Sequence, residues 1–202
     1  QNMKTKIMNR AQSGASMIET LMVFPLMLFV GLGVVHLGLV YQAKSNLEYA
    51  ALMAARVGSV TGISQNAMLT EVARRMSPSQ IGSVAPSPAN FSIQVLNPTV
   101  AMFQACGVQP LNVADCVVAN ICEIPNFGLQ FRPGIAQCDG ASIQDANILR
   151  IKVTYNFDSK VPLMNIRVFG TDHDSNKTPG VSISAIATVR MQTPARYTSI
   201  FN

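Results

Sequence analysis

The most pronounced pattern in the chain is a run of mostly apolar residues from Leu21 to Val40. It reads LMVFPLMLFVGLGVVHLGLV, in which Pro25, His36 and three glycines interrupt aliphatic and aromatic side chains. A helix of this length spans about 30 Å, which is the thickness of the hydrocarbon core of a bilayer. The run therefore predicts a transmembrane helix, and it is longer than the apolar region of a cleavable secretory signal.

Helical character continues beyond the apolar run, from Tyr41 to Met76. The sequence there is rich in alanine, and apolar positions recur every three to four residues, as on one face of a helix. Gly58 to Ser64 is a weak stretch that could bend or break the helix, and a second helical piece follows from Gln65 to Met76. If the helix is continuous, residues 15–76 form a rod roughly 90 Å long.

The second half of the chain has the alternation of half-buried strands. A Pro/Ser-rich linker over residues 77–89 ends the helical part, and residues 90–202 form the predicted C-terminal β-rich domain. Alternating runs extend over Asn90–Leu96, Asn147–Phe157 and Val181–Met191. We therefore predict an α+β fold, in which a long N-terminal transmembrane helix precedes a small antiparallel sheet that packs on the outer half of the helix.

Charge gives the predicted helix a direction. Residues 1–14 form a basic leader with Lys4, Lys6 and Arg10, and the first acidic residue is Glu19. The positive-inside rule then places the N-terminus in the cytoplasm and everything after Tyr41 on the other side of the membrane.

Only 12% of the residues are charged, and the net charge of +5 is scattered along the chain. No basic stripe with interleaved aromatics is evident, so we expect no direct nucleic-acid site.

Four cysteines lie close together in the C-terminal half. An even cluster in a Pro-, Gly- and Asn-rich segment is typical of two disulfides in an oxidising compartment, and three pairings are open. A metal site is the less favoured alternative, because no pair has C-x-x-C spacing and both histidines, His36 and His173, lie far away in sequence. The predicted disulfide residues are Cys106, Cys116, Cys122 and Cys138.

Catalytic and metal-binding patterns are weak in this chain. Asp172, Asp174 and Asn176 offer oxygen ligands at alternate positions, as calcium loops do, but Lys177 stands where the turn glycine is needed. No nucleophile-elbow motif, phosphate-binding loop or carboxylate pair is present. We therefore expect neither an enzyme nor a bound cofactor, and we treat calcium only as a weak candidate.

The N-terminal sequence resembles that of type IV pilins, and more closely that of their TadE-like relatives. Those proteins have a basic leader, small residues, a glutamate, an apolar helix containing proline, and an Ala-rich continuation after an aromatic residue. The closing runs VTYNFDSKVPLM and ATVRMQTPARY also look TadE-like, whereas the cysteine-bearing middle matches no family pattern. The N-terminal residues that carry the resemblance are Arg10, Gly14 to Ser16, Glu19, Pro25, Tyr41 and Leu47 to Val60.

The resemblance implies roles for several residues. A prepilin peptidase would cut after Gly14, and the new ammonium of Ala15 would pair with Glu19 of a neighbouring subunit. Alternatively, Glu19 only benefits from the helix dipole in the first turn. Pro25 would loosen the helix for packing. Gly31, Gly33 and Gly38 would let neighbouring helices approach, although ordinary lipid-tolerated glycines are equally compatible with the sequence.

The expected function is that of a structural subunit in a helical surface filament. The subunit would wait in the bacterial inner membrane and then join copies of itself and other pilins in an extracellular pilus. Two alternatives stay open, a pseudopilin that primes a secretion or assembly apparatus and a single-pass membrane protein with a periplasmic binding domain.

His36 is the one ionisable residue of the apolar run. For this residue a hydrogen bond at a helix interface is favoured over a proton-sensitive role.

Overall fold

In a computed structural model, the described residues are 15–77, 91–109, 122–132, 134, 137–157 and 181–197. The first element is a long apolar helix, α1, from Ala15 to Thr61, and a shorter helix, α2, extends from Gln65 to Met76. The long N-terminal helix predicted from the apolar run is therefore confirmed. It is one helix through the apolar segment and the Ala-rich continuation.

The chain reverses between α1 and α2, so the weak stretch from Gly58 to Ser64 breaks the helix, and residues 15–76 do not form one continuous rod. Gly62 and Ile63 both have φ of +67°, and the N–H of Ile63 donates to the carbonyl of Gly58 over 2.9 Å. Two consecutive left-handed residues turn the backbone out of the helix, which glycine permits at the first position. Helix α2 then runs back along α1, so that the Arg75 guanidinium lies 5.6 Å from the centre of the Tyr49 ring.

The predicted antiparallel sheet is confirmed. Strands β1 (Phe91–Asn97), β3 (Ile148–Phe157) and β4 (Val181–Arg190) pair in the order β1-β3-β4. All three differ from the predicted strands by at most one residue at either end. A register shift near Asn97 ends the regular pairing between β1 and β3.

The core lies between one face of this sheet and the two helices. Alternate strand residues such as Ile151 and Val153 are fully buried, as are Leu47 of α1 and Met68 of α2. Four of the alanines that α1 contributes to the core lie between positions 50 and 55, and their small side chains let the sheet come close to the helix axis. The fold is therefore α+β, with the sheet on the C-terminal half of α1. These alanines are Ala50, Ala51, Ala54 and Ala55.

Short elements surround the far end of the sheet. Helix α3 (Val100–Cys106) begins at Thr99, whose side chain accepts from the N–H of Met102. Strand β2 (Glu123–Ile124) pairs with β5 (Ala195–Arg196) in a second, two-stranded sheet. Helix α4 (Ile143–Ala146) has a capping box. The buried Asn147, which follows α4, donates through Nδ2 to the carbonyl of Pro125 and so connects this end of the sheet to that segment.

One of the two predicted disulfides joins Cys106 to Cys138, with the Cα atoms 5.3 Å apart. It ties the end of α3 to the turn before α4. Cys122 is disulfide-bonded as well, while Cys116 lies outside the described residues. The cysteines thus stabilise the segment between β1 and β3, whose described residues form only short elements.

Several predictions fall on residues that the structure does not describe. The leader 1–14, the linker from residue 78 onward and the calcium candidates Asp172, Asp174 and Asn176 all lie outside the described ranges. The division into leader, helix, linker and C-terminal domain stays a prediction. Within the described ranges, no group of three or more His, Cys, Asp or Glu side chains is placed to hold a metal ion.

Candidate functional site on the long helix

The N-terminal half of α1 is bare. From Met17 to Val35 every described side chain is exposed or, at two positions, half-buried, and Leu21 is 74% exposed. We call these residues the bare segment. Its apolar surface is far larger than a soluble monomer leaves in water. The bare segment therefore requires a covering that the described part of this chain does not supply.

By length and composition this helix is able to cross a membrane, and only 6% of its most apolar window is buried. A core helix of a soluble protein would be buried over most of that window. An N-terminal signal sequence also passes a test of this kind. However, α1 continues directly into the core of the folded domain, where Leu47 is fully buried. The apolar half is thus held to the domain by an unbroken helix, and it associates with membranes.

The bare segment ends at His36, which is only 8% exposed. Its ring lies 6.3 Å from the ring of Phe157, the last residue of β3. Leu39 and Val40 pack against the core, and Ala43 is buried. The last five residues of the run predicted to span the membrane therefore belong to the junction with the domain. What remains bare is about 28 Å of helix.

Glu19 is exposed near the start of α1. Counted from Ala15 it lies in the second helical turn, and the first turn contains no acidic residue. The stabilisation of a carboxylate by the helix dipole declines within one turn, so the dipole accounts poorly for Glu19. Its carboxylate makes no ion pair within the part of the chain that the structure describes. Gly14, the predicted processing residue, is outside that part, and Ala15 is the first residue of α1.

Pro25 lies inside α1, and the helix continues through it. Proline lacks an N–H, so one hydrogen bond of the helix is missing there. Helix α1 does not melt at Pro25. The loss of one hydrogen bond in an apolar segment instead leaves a weak point in an otherwise regular helix.

The three glycines of the apolar run have open surroundings. A β-carbon added to Gly31, Gly33 or Gly38 would meet no atom within 4 Å. Nothing in the part of the chain that the structure describes therefore requires glycine at these positions. By contrast, a β-carbon at Gly58, under the folded domain, would lie 2.6 Å from Sδ of Met68. Glycine at position 58 is explained by intramolecular packing, and the other three are not.

Sequence reasoning missed the junction between His36 and Phe157. These residues are 121 positions apart in the sequence, and their contact depends on where β3 ends relative to α1. The available signal was the polar residue in the apolar run, which the sequence analysis assigned to a helix interface. That interface lies within the chain, between α1 and the sheet.

These features define a class of protein in which one membrane-type apolar helix continues without a break into a small, disulfide-bonded α+β domain. Residues 14–56 match the model of a family described as TadE-like protein. The match includes Glu19, Pro25 and the three open glycines, and it confirms the predicted resemblance to TadE-like, pilin-related proteins of the Tad pilus system. It covers 43 of the 202 residues and ends before the reversal at Gly62. No curated protein and no solved structure matches the chain.

Proposed function

We propose that this protein is a structural subunit of a Tad-like, type IV-related surface filament that assembles through the bare segment. One observation carries the proposal: the bare segment is exposed apolar surface on a helix that is continuous with the folded domain. Outside a lipid bilayer such a surface is stable only against other apolar surfaces. Each large aliphatic side chain that becomes covered contributes about 1.5–3 kcal/mol relative to water.

The continuous helix also explains why contacts between bare segments would give an ordered polymer. Helix α1 extends from Ala15 to Thr61 without a break, and one face of its C-terminal half is buried under the sheet. Packing that fixes the bare segment against its neighbours therefore fixes the orientation of each domain. Repetition of one such contact generates a helical filament with the domains outside.

The subunit has two environments in this proposal. Before assembly, the bare segment lies in the inner membrane, with the N-terminus in the cytoplasm and the domain on the opposite side. A prepilin peptidase then cleaves between Gly14 and Ala15. After extraction into the extracellular pilus, other copies and other pilins replace the lipid around the helix.

Glu19 has a specific role in assembly. A lone carboxylate in an apolar environment costs a few kcal/mol, so an exposed glutamate at this position needs a partner once neighbours cover it. The ammonium created at Ala15 by cleavage supplies that partner on an adjacent subunit. Because the pair forms at only one axial offset, it sets the register between the helices. Gly31, Gly33 and Gly38 permit close approach of neighbouring helices, and the missing hydrogen bond at Pro25 lets the segment adjust.

The test is a pair of substitutions on the same helix, Glu19→Ala and Glu48→Ala. Both side chains are exposed acids, but only Glu19 lies in the bare segment. We expect the Glu19 variant to remain in the membrane and to be lost from sheared surface filaments, whereas the Glu48 variant assembles normally. Filaments with normal subunit content in the Glu19 variant would contradict the pairing.

Two further measurements separate the alternatives. Mass spectrometry of the mature protein should give Ala15 as the first residue, and any other first residue would contradict cleavage at Gly14. The abundance of the chain in purified filaments separates a main subunit from a pseudopilin of an assembly apparatus. Complete absence from any polymer would indicate a single-pass membrane protein with a periplasmic binding domain.

A further inference from the structure

A stripe of exposed residues follows one face of α1 across the junction at His36. Its members are three or four positions apart, so they share a face of the helix. Val34 and Leu37 are 65% and 67% exposed, and Tyr41 is 77% exposed. Lys44 and Glu48 are exposed too. Along this stripe the side chains change from aliphatic to aromatic, then to cationic and anionic.

The face of α1 that contacts the domain changes near the same position along the helix. N-terminal to His36 this face is bare, and from His36 onward the folded domain covers it, with Ala43 and Leu47 buried. Phe157, the last residue of β3, lies beside His36 at this point of the helix. The onset of the domain on one face and the onset of polarity on the other thus lie within about two turns of each other, although different residues determine them.

The axial distances match those of a bilayer. The bare segment is about 28 Å long, close to the roughly 30 Å of the hydrocarbon core. Tyr41 lies five residues beyond His36, a rise of about 7.5 Å. The headgroup layer on each side of a bilayer is about 5–8 Å thick, and tyrosine is enriched there because its ring is apolar and its hydroxyl is polar.

We propose that the folded domain rests directly on the membrane surface, with the junction at His36 and Phe157 at the boundary between hydrocarbon and headgroups. Residues from Met17 to Val35 occupy the hydrocarbon, and Tyr41 lies among the headgroups of the lipids. Lys44 reaches the outer edge of that layer, and Glu48 lies in water. This surface binds lipid headgroups whether or not the protein later joins a filament.

The proposed position of the bilayer along α1 differs from the position that hydropathy alone gives. The apolar run Leu21–Val40 would place the bilayer centre near Val30, whereas the junction places it near Leu26. With the centre at Leu26, Met22 and Val30 are equally deep, one in each leaflet. With the hydropathy placement, Val30 is at the centre and Met22 is far from it.

The chain contains no tryptophan, so a single introduced tryptophan reports on one position. The full chain is reconstituted into phosphatidylcholine vesicles that carry bromine either near the middle or near the end of the acyl chains. The variants are Met22→Trp, Val30→Trp, Tyr41→Trp and Glu48→Trp, all at exposed positions that leave the core unchanged. Quenching and emission wavelength are measured, with Ile186→Trp on the exposed face of the sheet as a control outside the membrane.

We expect equal quenching of the tryptophans at positions 22 and 30 and no quenching at 48 or 186. The tryptophan at position 41 should be quenched weakly, and only by bromines near the middle of the acyl chains, which lie closer to the headgroups than those near the end. Stronger deep quenching at 30 than at 22, together with deep quenching at 41, would overturn the proposal in favour of the hydropathy placement. Emission from position 41 as red-shifted and unquenched as from 48 would also overturn it, because the domain would then stand clear of the lipid. None of these outcomes depends on filament formation, so the result is separate from that of the Glu19 experiment.

Discussion

The carbonyl oxygen of Ser59 accepts two hydrogen bonds from Thr193, one from its N–H over 3.0 Å and one from its hydroxyl over 3.1 Å. Ser59 lies fully buried in the last turn of α1, where carbonyl groups lack partners within the helix. Thr193 follows the last long strand of the sheet. The two residues thus join the end of the membrane-type helix to the end of the sheet, so that the helix and the domain move together.

Replacing Thr193 by valine should weaken this connection moderately. Valine keeps the branched shape of threonine but removes the hydroxyl donor, while the backbone N–H groups of Gln192 and Thr193 still reach the Ser59 carbonyl. We expect the free energy of unfolding to fall by about 0.5–1.5 kcal/mol, the net contribution of one hydrogen bond. Guanidinium titration of the detergent-solubilised full chain measures it.

Thr188 supplies the matched control. It lies on β4 with its side chain exposed, so that Thr188→Val should change the free energy of unfolding by less than about 0.5 kcal/mol. Equal effects of the two substitutions would mean that the hydrogen bond of the Thr193 hydroxyl contributes nothing to the free energy of unfolding.

Gly58→Ala should destabilise the domain even though alanine favours helix. The added methyl group would lie 2.6 Å from Sδ of Met68 and 3.0 Å from Cδ2 of Leu149, and both of these side chains are fully buried. Overpacking costs about 1–3 kcal/mol, against a gain of about 1 kcal/mol in helix propensity. We therefore expect a net loss of up to about 2 kcal/mol in the free energy of unfolding, measured in the same detergent titration.

Gly31→Ala is the control for this substitution, because it has open surroundings within the chain. It should leave the unfolding midpoint unchanged or slightly raised. Its effect should appear only where neighbouring helices meet, as a smaller yield of sheared filaments. A lower midpoint for Gly31→Ala with normal filament yield would assign this glycine to the fold rather than to assembly.

The contrast between these glycines shows what could be predicted from the sequence. The alternating strands follow a local period, so β1, β3 and β4 were predictable to within one residue, whereas the apolar run predicted α1 but not its end at Thr61. The reversal at Gly62 and Ile63 was foreseen only as a weak stretch, since the packing of α2 against α1 decides it. For Glu19 the resemblance to pilins carries the prediction, because its side chain meets no partner within the described chain.

Glu71 predicts a pH dependence of stability. Its carboxylate is 11% exposed and accepts hydrogen bonds from Arg74 and Arg75, which hold its pKa below the usual value of 4.5. A lowered pKa in the folded state means that the folded state binds the proton less tightly than the unfolded chain does. The contribution of the ionised Glu71 carboxylate to the free energy of unfolding is therefore complete above pH 4.5, and it is lost as the pH falls through the lower pKa of the folded state.

Unfolding midpoints across the acidic range test this dependence in the wild type and in Glu71→Gln. The variant should be less stable than the wild type above pH 4.5, and the two curves should converge below it. Glu48→Gln removes an exposed carboxylate without this pair of arginines and should follow the wild type throughout. A constant difference between Glu71→Gln and the wild type at every pH would exclude ionisation as the cause.

The disulfide between Cys106 and Cys138 should carry much of the stability of the segment between β1 and β3. The two residues are 32 positions apart. A cross-link that closes a loop of this length lowers the conformational entropy of the unfolded chain, which raises the free energy of unfolding by about 3–4 kcal/mol. The double variant Cys106→Ser/Cys138→Ser should lose about that much free energy of unfolding, whereas Ser92→Ala on the exposed face of β1 should lose almost none. Hydrogen exchange should rise first around α3 and α4, which the disulfide ties together, and least in β3. If hydrogen exchange around α3 and α4 were as slow in the double variant as in the wild type, other contacts would be sufficient to hold this segment. One such contact is the hydrogen bond from Asn147 Nδ2 to the Pro125 carbonyl, at 3.1 Å.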